Sequence, residues 1–362
     1  MTDYAKKPKF HYRPAKGWIN DPNGLVYFNG EYHLFYQHAP DHEIPWKQPM
    51  HWGHAVTKDF LHWEEMPVAL RPGEPYDGGG CWSGTAIVKD GRLYLFYAAI
   101  SAVSTAAVAF SDDGIRFEKY PRNPVIAAYP PEGGPDFRDP AVCRIGGEYF
   151  CVMASGDPEK KTGNLLLYKS EDLLNWEYSG VMCEWENCRY AECPSFMQAE
   201  DGNCLLAASV CPNGRERFFS VMYGTFSGGR FDIKYSSSPF KGPDQYAGQV
   251  FRDHKGRNIL ITWIPGWDYA GYAEKDIGCM SVPCELKCEK GTVTAFPAEE
   301  VRGLLKSEDP ALERTANGFT VKRQGREPCV YEGGIRDLQL IRDEYILEVF
   351  VNGGEEVFSI LL

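Results

Sequence analysis

Three short acidic motifs, far apart along the chain, contain the residues best suited to chemistry. Asp21 lies in NDPNG, Asp139 in FRDP and Glu192 in ECP, and each acid precedes a glycine turn by 8 to 10 residues. If these turns belong to equivalent units, the three carboxyls lie at equivalent positions. Converging carboxyls raise at least one pKa, and cleavage of a glycosidic bond needs one ionised and one protonated acid.

Each motif also has a purely structural interpretation. Asp-Pro and Asn-Gly in NDPNG favour turns, and Arg138 beside Asp139 would make a local ion pair that keeps the acid ionised. Glu192 is flanked by Ala191 and Cys193 and has no cation next to it in the sequence. An acid in such apolar surroundings is unusual. The matching positions of all three acids favour catalysis.

The elements that would position these acids form a repeat. A glycine-centred turn followed by an aromatic and β-branched run recurs at Gly30, Gly91, Gly147, Gly202 and Gly256, at intervals of 61, 56, 55 and 54 residues. Such turns and runs are typical of hairpins. Five strand-rich units of this length predict an all-β protein, a five-bladed β-propeller with four-stranded blades. The alternative is a β-sandwich with accidental glycine spacing.

The segment before each glycine turn is predicted to be the first strand of a blade, which lines the central channel. These segments are residues 20–28, 82–88, 138–145, 192–198 and 246–251. The three acids then meet around one axis, with Ser83 and Tyr246 at the same level. A second pattern, at residues 57–63, 111–117 and 170–176, predicts later strands or turns of the same units.

Composition limits the classes of partner that we expect for this protein. With 38 basic and 50 acidic residues the net charge is −12, and no basic run occurs, so nucleic acid and anionic membranes are not expected partners. Residues 1–14 have no apolar signal region and no long apolar stretch follows, which predicts a cytoplasmic protein. The 12 cysteines include no CxxC pair, so we expect reduced thiols and no metal site.

A family resemblance rests on several of these motifs. Residues 11–37, HYRPAKGWINDPNGLVYFNGEYHLFYQ, resemble the N-terminal signature of glycoside hydrolase family 32, the invertases and related fructosidases. WGHAVTKDFLHWEEMPVAL, WSGTA, FRDP and ECP follow in that family's order, and the similarity covers residues 8–300. The combination of WINDPNG, FRDP and ECP is highly specific.

The resemblance implies roles for individual residues. Asp21 resembles the nucleophile, Glu192 the general acid/base, and Asp139 the acid that stabilises the transition state. The implied substrate-binding residues are Asn20, Gln37, Trp46, Trp82, Ser83, Arg138, Tyr246 and Trp267. Asp244, in the same DQYAGQ segment as Tyr246, is expected to reach the same channel. The three tryptophans have plain packing as their alternative role.

The function implied is retaining hydrolysis of β-fructofuranosides such as sucrose, sucrose 6-phosphate or short fructans, without a metal or organic cofactor. Two alternatives stay open. One is a fructosyltransferase, in which a sugar replaces water as the acceptor, and the other is a non-catalytic sugar-binding propeller. Candidate phosphate ligands, most of them expected to be solvated surface charges, are Lys16, Lys47, Arg189, Arg215 and Arg217.

The chain departs from the family pattern at two places. Ile277 and Cys284 stand where the family usually shows other residues, at the rim of the fifth blade. After the propeller domain, residues 1–300, residues 301–362 predict only a short helix and four strands, at 318–323, 337–341, 345–351 and 355–361. This reduced β module would replace the family's full β-sandwich. We expect it to pack on the propeller or on another subunit, as in a homo-oligomer.

Overall fold

Residues 6–42, 44, 47–214, 216–267 and 278–362 are described by a computed structural model. Five sheets of four main strands follow one another, each built from consecutive strands of the chain. The first strands of neighbouring sheets contact each other, and the first sheet also contacts the fifth, which closes a ring. The predicted five-bladed β-propeller is therefore confirmed.

The five blades account for most of the strands. The first blade contains β1 (Trp18–Phe28), β2 (Glu31–Ala39), β3 (His51–Thr57) and β4 (Glu64–Leu70). The second contains β5 (Gly80–Lys89), β6 (Arg92–Ile100), β7 (Ser104–Ser111) and β8 (Glu118–Lys119). The third contains β9 (Asp136–Ile145), β10 (Glu148–Asp157), β11 (Thr162–Ser170) and β12 (Glu177–Glu186). The fourth contains β13 (Cys188–Gln198), β14 (Cys204–Pro212), β15 (Phe218–Ser227) and β16 (Arg230–Ser237). The fifth contains β17 (Tyr246–Arg252), β18 (Asn258–Ile264), β19 (Cys279–Met280), β20 (Cys284–Glu289) and β21 (Thr292–Pro297).

The glycine period marks the hairpin between the first two strands of each blade. At Asn29–Gly30 both residues have positive φ, 49° and 87°, and at Asp90–Gly91 the values are 51° and 76°. Asn-Gly and Asp-Gly favour this geometry, whose twist matches that of the strands. The interleaved pattern forms turns before the fourth strands of the first three blades. There Asp59, Asp113 and Asp172 accept backbone N–H groups two and three residues later.

Side-chain hydrogen bonds tie the first strands of the blades together around the axis. At 2.9 to 3.3 Å they join Asn23 to Gly84, Thr85 to Pro140 and Val142, Ser195 to Val250, and Gln249 to Leu25 and Gly84. Most of them join adjacent blades, and the bond from Gln249 to Gly84 joins the fifth blade to the second. The junction of the third and fourth blades has a bond from the Cys193 N–H to the Asp139 carboxylate, at 2.8 Å. These polar bonds fix the height of each first strand relative to its neighbours.

The C-terminal module differs from the sequence-based prediction in its strand count. The predicted short helix is a 3-10 helix, Glu299–Leu304. Six strands follow instead of four, in two three-stranded sheets. They are β22 (Leu312–Thr315), β23 (Gly318–Val321), β24 (Cys329–Glu332), β25 (Leu338–Asp343), β26 (Ile346–Val351) and β27 (Glu356–Leu361). β22 and β24 escaped prediction because each has only four residues, too few to show a clear alternation of buried and exposed side chains.

The module packs on the propeller through its sheet β25–β26–β27, which lies between the small sheet β22–β23–β24 and the blades. All six residues of β26 are buried. Leu347 and Val349 face the small sheet β22–β23–β24, whereas Phe350 joins a core with residues of the first, fourth and fifth blades. The middle sheet therefore buries both faces. No helix in the described part of the chain is long and apolar enough to cross a bilayer.

Candidate active site

β-Bulges place the acids at the mouth of the central channel. In β1, Asn20 and Asp21 together oppose Gln37 of β2, since the pairing shifts between Ile19 and Pro22. The extra residue bends the strand and changes the direction of its side chains. Asp139–Pro140 in β9, Cys193–Pro194 in β13 and Ala247–Gly248 in β17 form similar two-residue bulges at the same level, and β5 has its irregularity at Ser83.

Proline favours a bulge at three of these positions. Pro22, Pro140 and Pro194 each have no N–H to give to a strand partner, so each fits where the ladder is interrupted. Asp139 and Cys193 also have positive φ, 54° and 48°. Non-glycine residues rarely adopt this conformation outside constrained sites. The Asp-Pro and Cys-Pro pairs mark positions where a ladder can be interrupted, but the strand pairing decides whether a bulge forms there.

Asp21 is held by two neutral donors. The Ser83 hydroxyl donates to one carboxylate oxygen at 2.7 Å and the Asn20 amide to the other at 3.0 Å. The Asn20 side chain is in turn fixed by the Trp18 indole N–H at 2.7 Å. Burial raises the pKa of Asp21, the hydrogen bond from Ser83 opposes this shift, and the charge of Glu192 adds to it. Asp21 is thus oriented by hydrogen bonds from neutral groups.

Asp139 has a strongly raised pKa. Burial raises its pKa to about 7; the Arg138 charge lowers it, while the charges of Glu192 and Asp21 raise it further. The charge of Arg138 thus acts on the pKa of Asp139 in the expected direction, although no hydrogen bond or ion pair is found between the two side chains, both of which are among the described residues. The guanidinium is bonded to Asp136 and Glu192 instead, and it stacks on Tyr190 at 4.7 Å.

Glu192 has the charged neighbour that its local sequence lacks. Arg138 Nη2 donates to Oε1 of Glu192 at 2.9 Å. The Tyr246 hydroxyl donates to the other oxygen in a short hydrogen bond. The cation arrives from β9, 54 residues away in sequence, so no inspection of the ECP motif alone reveals it. Two donors of this kind stabilise a carboxylate.

The three acids share one cavity of about 410 Å³. Its lining residues are Asn20, Asp21, Gln37, Trp82, Ser83, Asp136, Arg138, Asp139, Tyr190, Glu192, Arg217 and Trp267. All but two of the predicted site residues are among them. Trp46 lies outside the described residues, and Tyr246 is buried behind Glu192 rather than on the cavity surface.

One wall of the cavity is a tryptophan cluster. Trp267 stacks on Trp18 with ring centroids 6.1 Å apart and meets Trp263 edge-on at 4.8 Å. Trp18 and Trp263 are fully buried, whereas Trp267 and Trp82 are only partly buried beside the cavity. The partly buried rings of Trp82 and Trp267 offer apolar faces against which a sugar ring can stack, and the buried tryptophans hold them in place.

Asp136 and Tyr190 were missed by sequence reasoning. Each lies two residues before a predicted site residue, Arg138 and Glu192 respectively, and alternate residues of a strand point to the same side. That spacing was the available signal. Among the described candidate phosphate ligands, only Arg217 borders the cavity. Ile277 and Arg215 lie outside the described residues, and Cys284 is a buried residue of β20.

Asp244 does not reach the channel, contrary to expectation. It is buried, and its carboxylate accepts hydrogen bonds from Arg323 and from the backbone of Leu361 in the C-terminal module. Its position just before the bulge of β17 turns it away from the mouth. All twelve cysteines are free thiols, and the described residues contain no cluster of three or more side chains suited to hold a metal ion.

Comparison with known proteins identifies the family. Residues 11–297 match the family described as glycosyl hydrolases family 32 N-terminal domain. The chain is 34% identical over 342 residues to a sucrose-6-phosphate hydrolase of Escherichia coli, covering 88% of this chain and 70% of that protein. It is 36% identical over 326 residues to a raffinose invertase of Escherichia coli, covering 84% and 67%. The protein therefore belongs to glycoside hydrolase family 32.

A solved structure shows the same architecture. The GH32 beta-fructofuranosidase of Bombyx mori, whose mutant was solved in complex with sucrose, has a TM-score of 0.85 to this chain. The two are 27% identical, and the alignment covers 100% of this chain and 90% of the other. The resemblance inferred from the WINDPNG, FRDP and ECP motifs is thus confirmed at the level of sequence and fold.

Proposed function

We propose that this enzyme hydrolyses β-fructofuranosides by double displacement, with retention of configuration at the anomeric carbon. The observation that carries the proposal is the convergence of Asp21, Asp139 and Glu192 on one cavity of about 410 Å³. That volume suits a small sugar. The named activities of the family members, sucrose-6-phosphate hydrolase, invertase and beta-fructofuranosidase, support the same substrate class.

Asp21 is proposed as the nucleophile that attacks C2 of the fructosyl unit. The hydrogen bonds from Ser83 and Asn20 occupy one lone-pair direction on each of its oxygens and fix the plane of the carboxylate. Neither donor is charged, so neither neutralises the attacking group. A fixed, ionised carboxylate beside the anomeric carbon is what formation of a covalent fructosyl-enzyme requires.

Glu192 is proposed as the acid that protonates the leaving oxygen and as the base that later activates water. When Glu192 gives up its proton, Arg138 and the Tyr246 hydroxyl are already in position to stabilise the carboxylate that forms. In the second step the water oxygen forms a bond to C2 while the Glu192 carboxylate takes a proton from that water, the C2–Asp21 bond breaks, and fructose leaves. The cycle balances without a metal or an organic cofactor.

Asp139 is proposed to hold the ring hydroxyls and to stabilise the oxocarbenium-like transition state. Its carboxylate is anchored by the Cys193 N–H at 2.8 Å, which leaves its other oxygen for substrate. Cys193 also directs its thiol toward Asp21, 3.5 Å away. One bulge residue therefore links both carboxylates, so the distance between them is set by the backbone of β13 and not by solvent-exposed side chains.

The remaining organisation is also proposed. Residues 1–300 form the catalytic domain and residues 301–362 a small accessory module. The twelve free thiols, ten of them buried, support a reducing, cytoplasmic place of action. Sucrose, sucrose 6-phosphate and short fructans are the candidate substrates, and Arg217 at the cavity would offer a cation to a phosphorylated leaving group.

Three measurements test the proposed function. Proton NMR of the first-formed fructose should show the β anomer, because two inversions restore the configuration of the substrate. First appearance of the α anomer would contradict the covalent intermediate. Comparison of kcat/KM for sucrose, sucrose 6-phosphate and 1-kestose then ranks the leaving groups. Release of free fructose in proportion to cleavage, at millimolar substrate, would exclude the fructosyltransferase alternative.

A further inference from the structure

The connection between the fourth and fifth blades is bound to the C-terminal module. Residues 238–245 run along β27, which they meet in an isolated parallel bridge between Phe240 and Val357. Three backbone hydrogen bonds of 2.8, 2.9 and 3.2 Å join Val357 to Pro239, Lys241 to Val357 and Asp244 to Ser359. The approach is close enough that a Cβ at Gly242 would lie 2.5 Å from the Ser359 nitrogen. The path of this connection is therefore set by the module.

Asp244 anchors the end of that connection. Its carboxylate accepts from Arg323 Nη2 at 2.5 and 2.7 Å and from the Leu361 N–H at 2.8 Å. Arg323 also donates from Nε to the Leu361 carbonyl at 3.0 Å. The Asp244 and Arg323 side chains are only 2% and 8% exposed. A buried charge pair with this many bonds has little freedom to shift.

Tyr246, two residues after Asp244, begins β17 and reaches the acid/base. Its hydroxyl donates to Glu192 Oε2, and Arg138 holds Oε1. Tyr246 is 8% exposed and packs in the tryptophan cluster with Trp263. A shift of the backbone before β17 would move the hydroxyl and let the Glu192 carboxyl rotate.

We infer that Asp244 and Arg323 are positioning residues for the reaction: through this ion pair the C-terminal module holds Tyr246, and Tyr246 holds the Glu192 carboxyl in the orientation that protonates the leaving group. The inference rests on the proposed role of Glu192. It gives the reduced module a part in acid–base chemistry although none of its residues lines the cavity.

The test compares two substrates that differ in their need for a proton. The glucose of sucrose leaves only when protonated, whereas the phenolate of 4-nitrophenyl β-fructofuranoside leaves without a proton. The double variant Asp244→Asn/Arg323→Gln, which removes both buried charges together, should lower kcat/KM for sucrose about tenfold while the aryl substrate stays within about twofold. Because both values come from one preparation, a loss of folded protein cancels in their ratio.

Further variants keep the inference falsifiable. Arg323→Lys, which retains the charge but lacks the second donor, should change the ratio in the same direction and serves where the double variant does not fold. Tyr246→Phe should change the ratio directly, and in its background the double variant should add nothing. Arg342→Gln is the matched control, because Arg342 bonds to Asp309 inside the module at 3.2 Å and has no path to Tyr246.

The outcomes separate the two hypotheses. An equal fall for both substrates, an unchanged ratio in a folded variant, or an equal effect of Arg342→Gln would overturn the positioning role. A wild-type enzyme that cleaves neither substrate would instead overturn the proposed function. The inference is supported if the double variant changes the ratio in the wild-type background and changes it no further in the Tyr246→Phe background.

Discussion

Two clusters of buried carboxyls lie at different places in this molecule, and the pKa values of their buried aspartates are shifted in opposite directions. At the channel mouth, Asp21 and Asp139 both have raised pKa values because burial and neighbouring acids disfavour their ionised forms. At the junction of the module and the propeller, burial would raise the pKa of Asp343, but hydrogen bonds from His11 and the backbone lower it to about 2.

His11 is the centre of the second cluster. Its Nδ1 lies 3.0 Å from Asp343 and its Nε2 lies 3.1 Å from Glu348. A neutral imidazole can donate to only one of them, so the doubly protonated ring fits both. Burial lowers the pKa of His11, but the two carboxylates raise it to about 9. Here both acids accept hydrogen bonds from His11 and from the backbone, whereas the cavity at the mouth is lined by four acids and only two guanidinium groups, those of Arg138 and Arg217.

The difference separates activity from stability. Incompletely compensated acids beside a cavity are ready to bind substrate or move protons, and they weaken the folded state. Fully paired acids at a closed interface do no chemistry and hold two parts of the chain together. Changes at the mouth should therefore reduce turnover and spare stability, and changes at the junction should do the reverse.

Removal of the module is expected to have the largest effect, a loss of stability. Deletion of residues 307–362 removes Asp343, Glu348 and Arg323 and uncovers the apolar surface that Phe350 and Ile346 cover. We expect an insoluble chain, or a melting temperature at least about 10 °C lower. Expression and thermal unfolding beside the full chain provide the measurement. Equal solubility and equal melting temperature would show that the junction contributes nothing.

The second-largest effect is expected on kcat, from substitution of the acids at the channel mouth. Asp21→Asn and Glu192→Gln should each lower kcat at least about a thousandfold, some 4 kcal/mol of barrier. Melting temperature should be unchanged or higher, because a crowded negative charge disappears. Asp41→Asn is the control, an exposed acid paired with Lys16 at the surface, and should keep wild-type kcat. Near-native turnover of sucrose by either catalytic variant would contradict the assignment.

His11 predicts a stability that depends on pH. Its folded pKa of about 9 exceeds the ordinary value of 6.5, so the stabilisation is fully present below about pH 6.5 and is lost as pH rises through 9. The shift corresponds to about 3 kcal/mol. The free energy of unfolding of the wild type should fall over this window, and that of His11→Gln should be lower and flatter.

The control for this prediction is His62→Gln. His62 also contacts an aspartate, Asp59, at 2.7 Å, but its side chain is 85% exposed. Solvent screens such a pair, so its loss should change the free energy of unfolding by less than about 1 kcal/mol. If His62→Gln and His11→Gln flatten the profile equally, the buried pair is not the cause of the pH dependence.

The smallest effect belongs to a neutral donor at the mouth. Ser83→Ala removes one hydrogen bond to the Asp21 carboxylate, and kcat should fall about tenfold with little change in melting temperature. Ser209→Ala is the matched control: a buried serine of the fourth blade whose hydroxyl has no partner among the described residues. Equal kcat for both variants would show that Ser83 does not orient the nucleophile.

Sequence predicted the propeller and the level of the acids because both follow from short-range patterns. The glycine hairpins recur in register, and Asp21, Asp139 and Glu192 lie at similar distances before them. The partners of these acids were harder to predict. Arg138 reaches Glu192 from another blade, and the bulges that change side-chain directions depend on strand pairing, which a single segment does not contain.

The module was predicted less well, for a physical reason. β22 and β24 have four residues each and mixed polarity, so neither alternation nor composition marks them. Asp244 was assigned to the channel because its neighbour Tyr246 belongs there, yet its partner Arg323 lies 79 residues further along the chain. Such long-range pairs are decided by packing and leave no local signal.

The ring closes without a shared strand, since every blade consists of consecutive strands. This has a consequence for the order of events during synthesis. Each blade contains all of its own strands, so its strands can pair without waiting for a later part of the chain. The seam between the first and fifth blades gains its charged clasp only when residues 343–348 emerge and meet His11. A nascent chain of 300 residues already contains every catalytic acid, but we expect its ring to stay loosely closed until the last strands arrive.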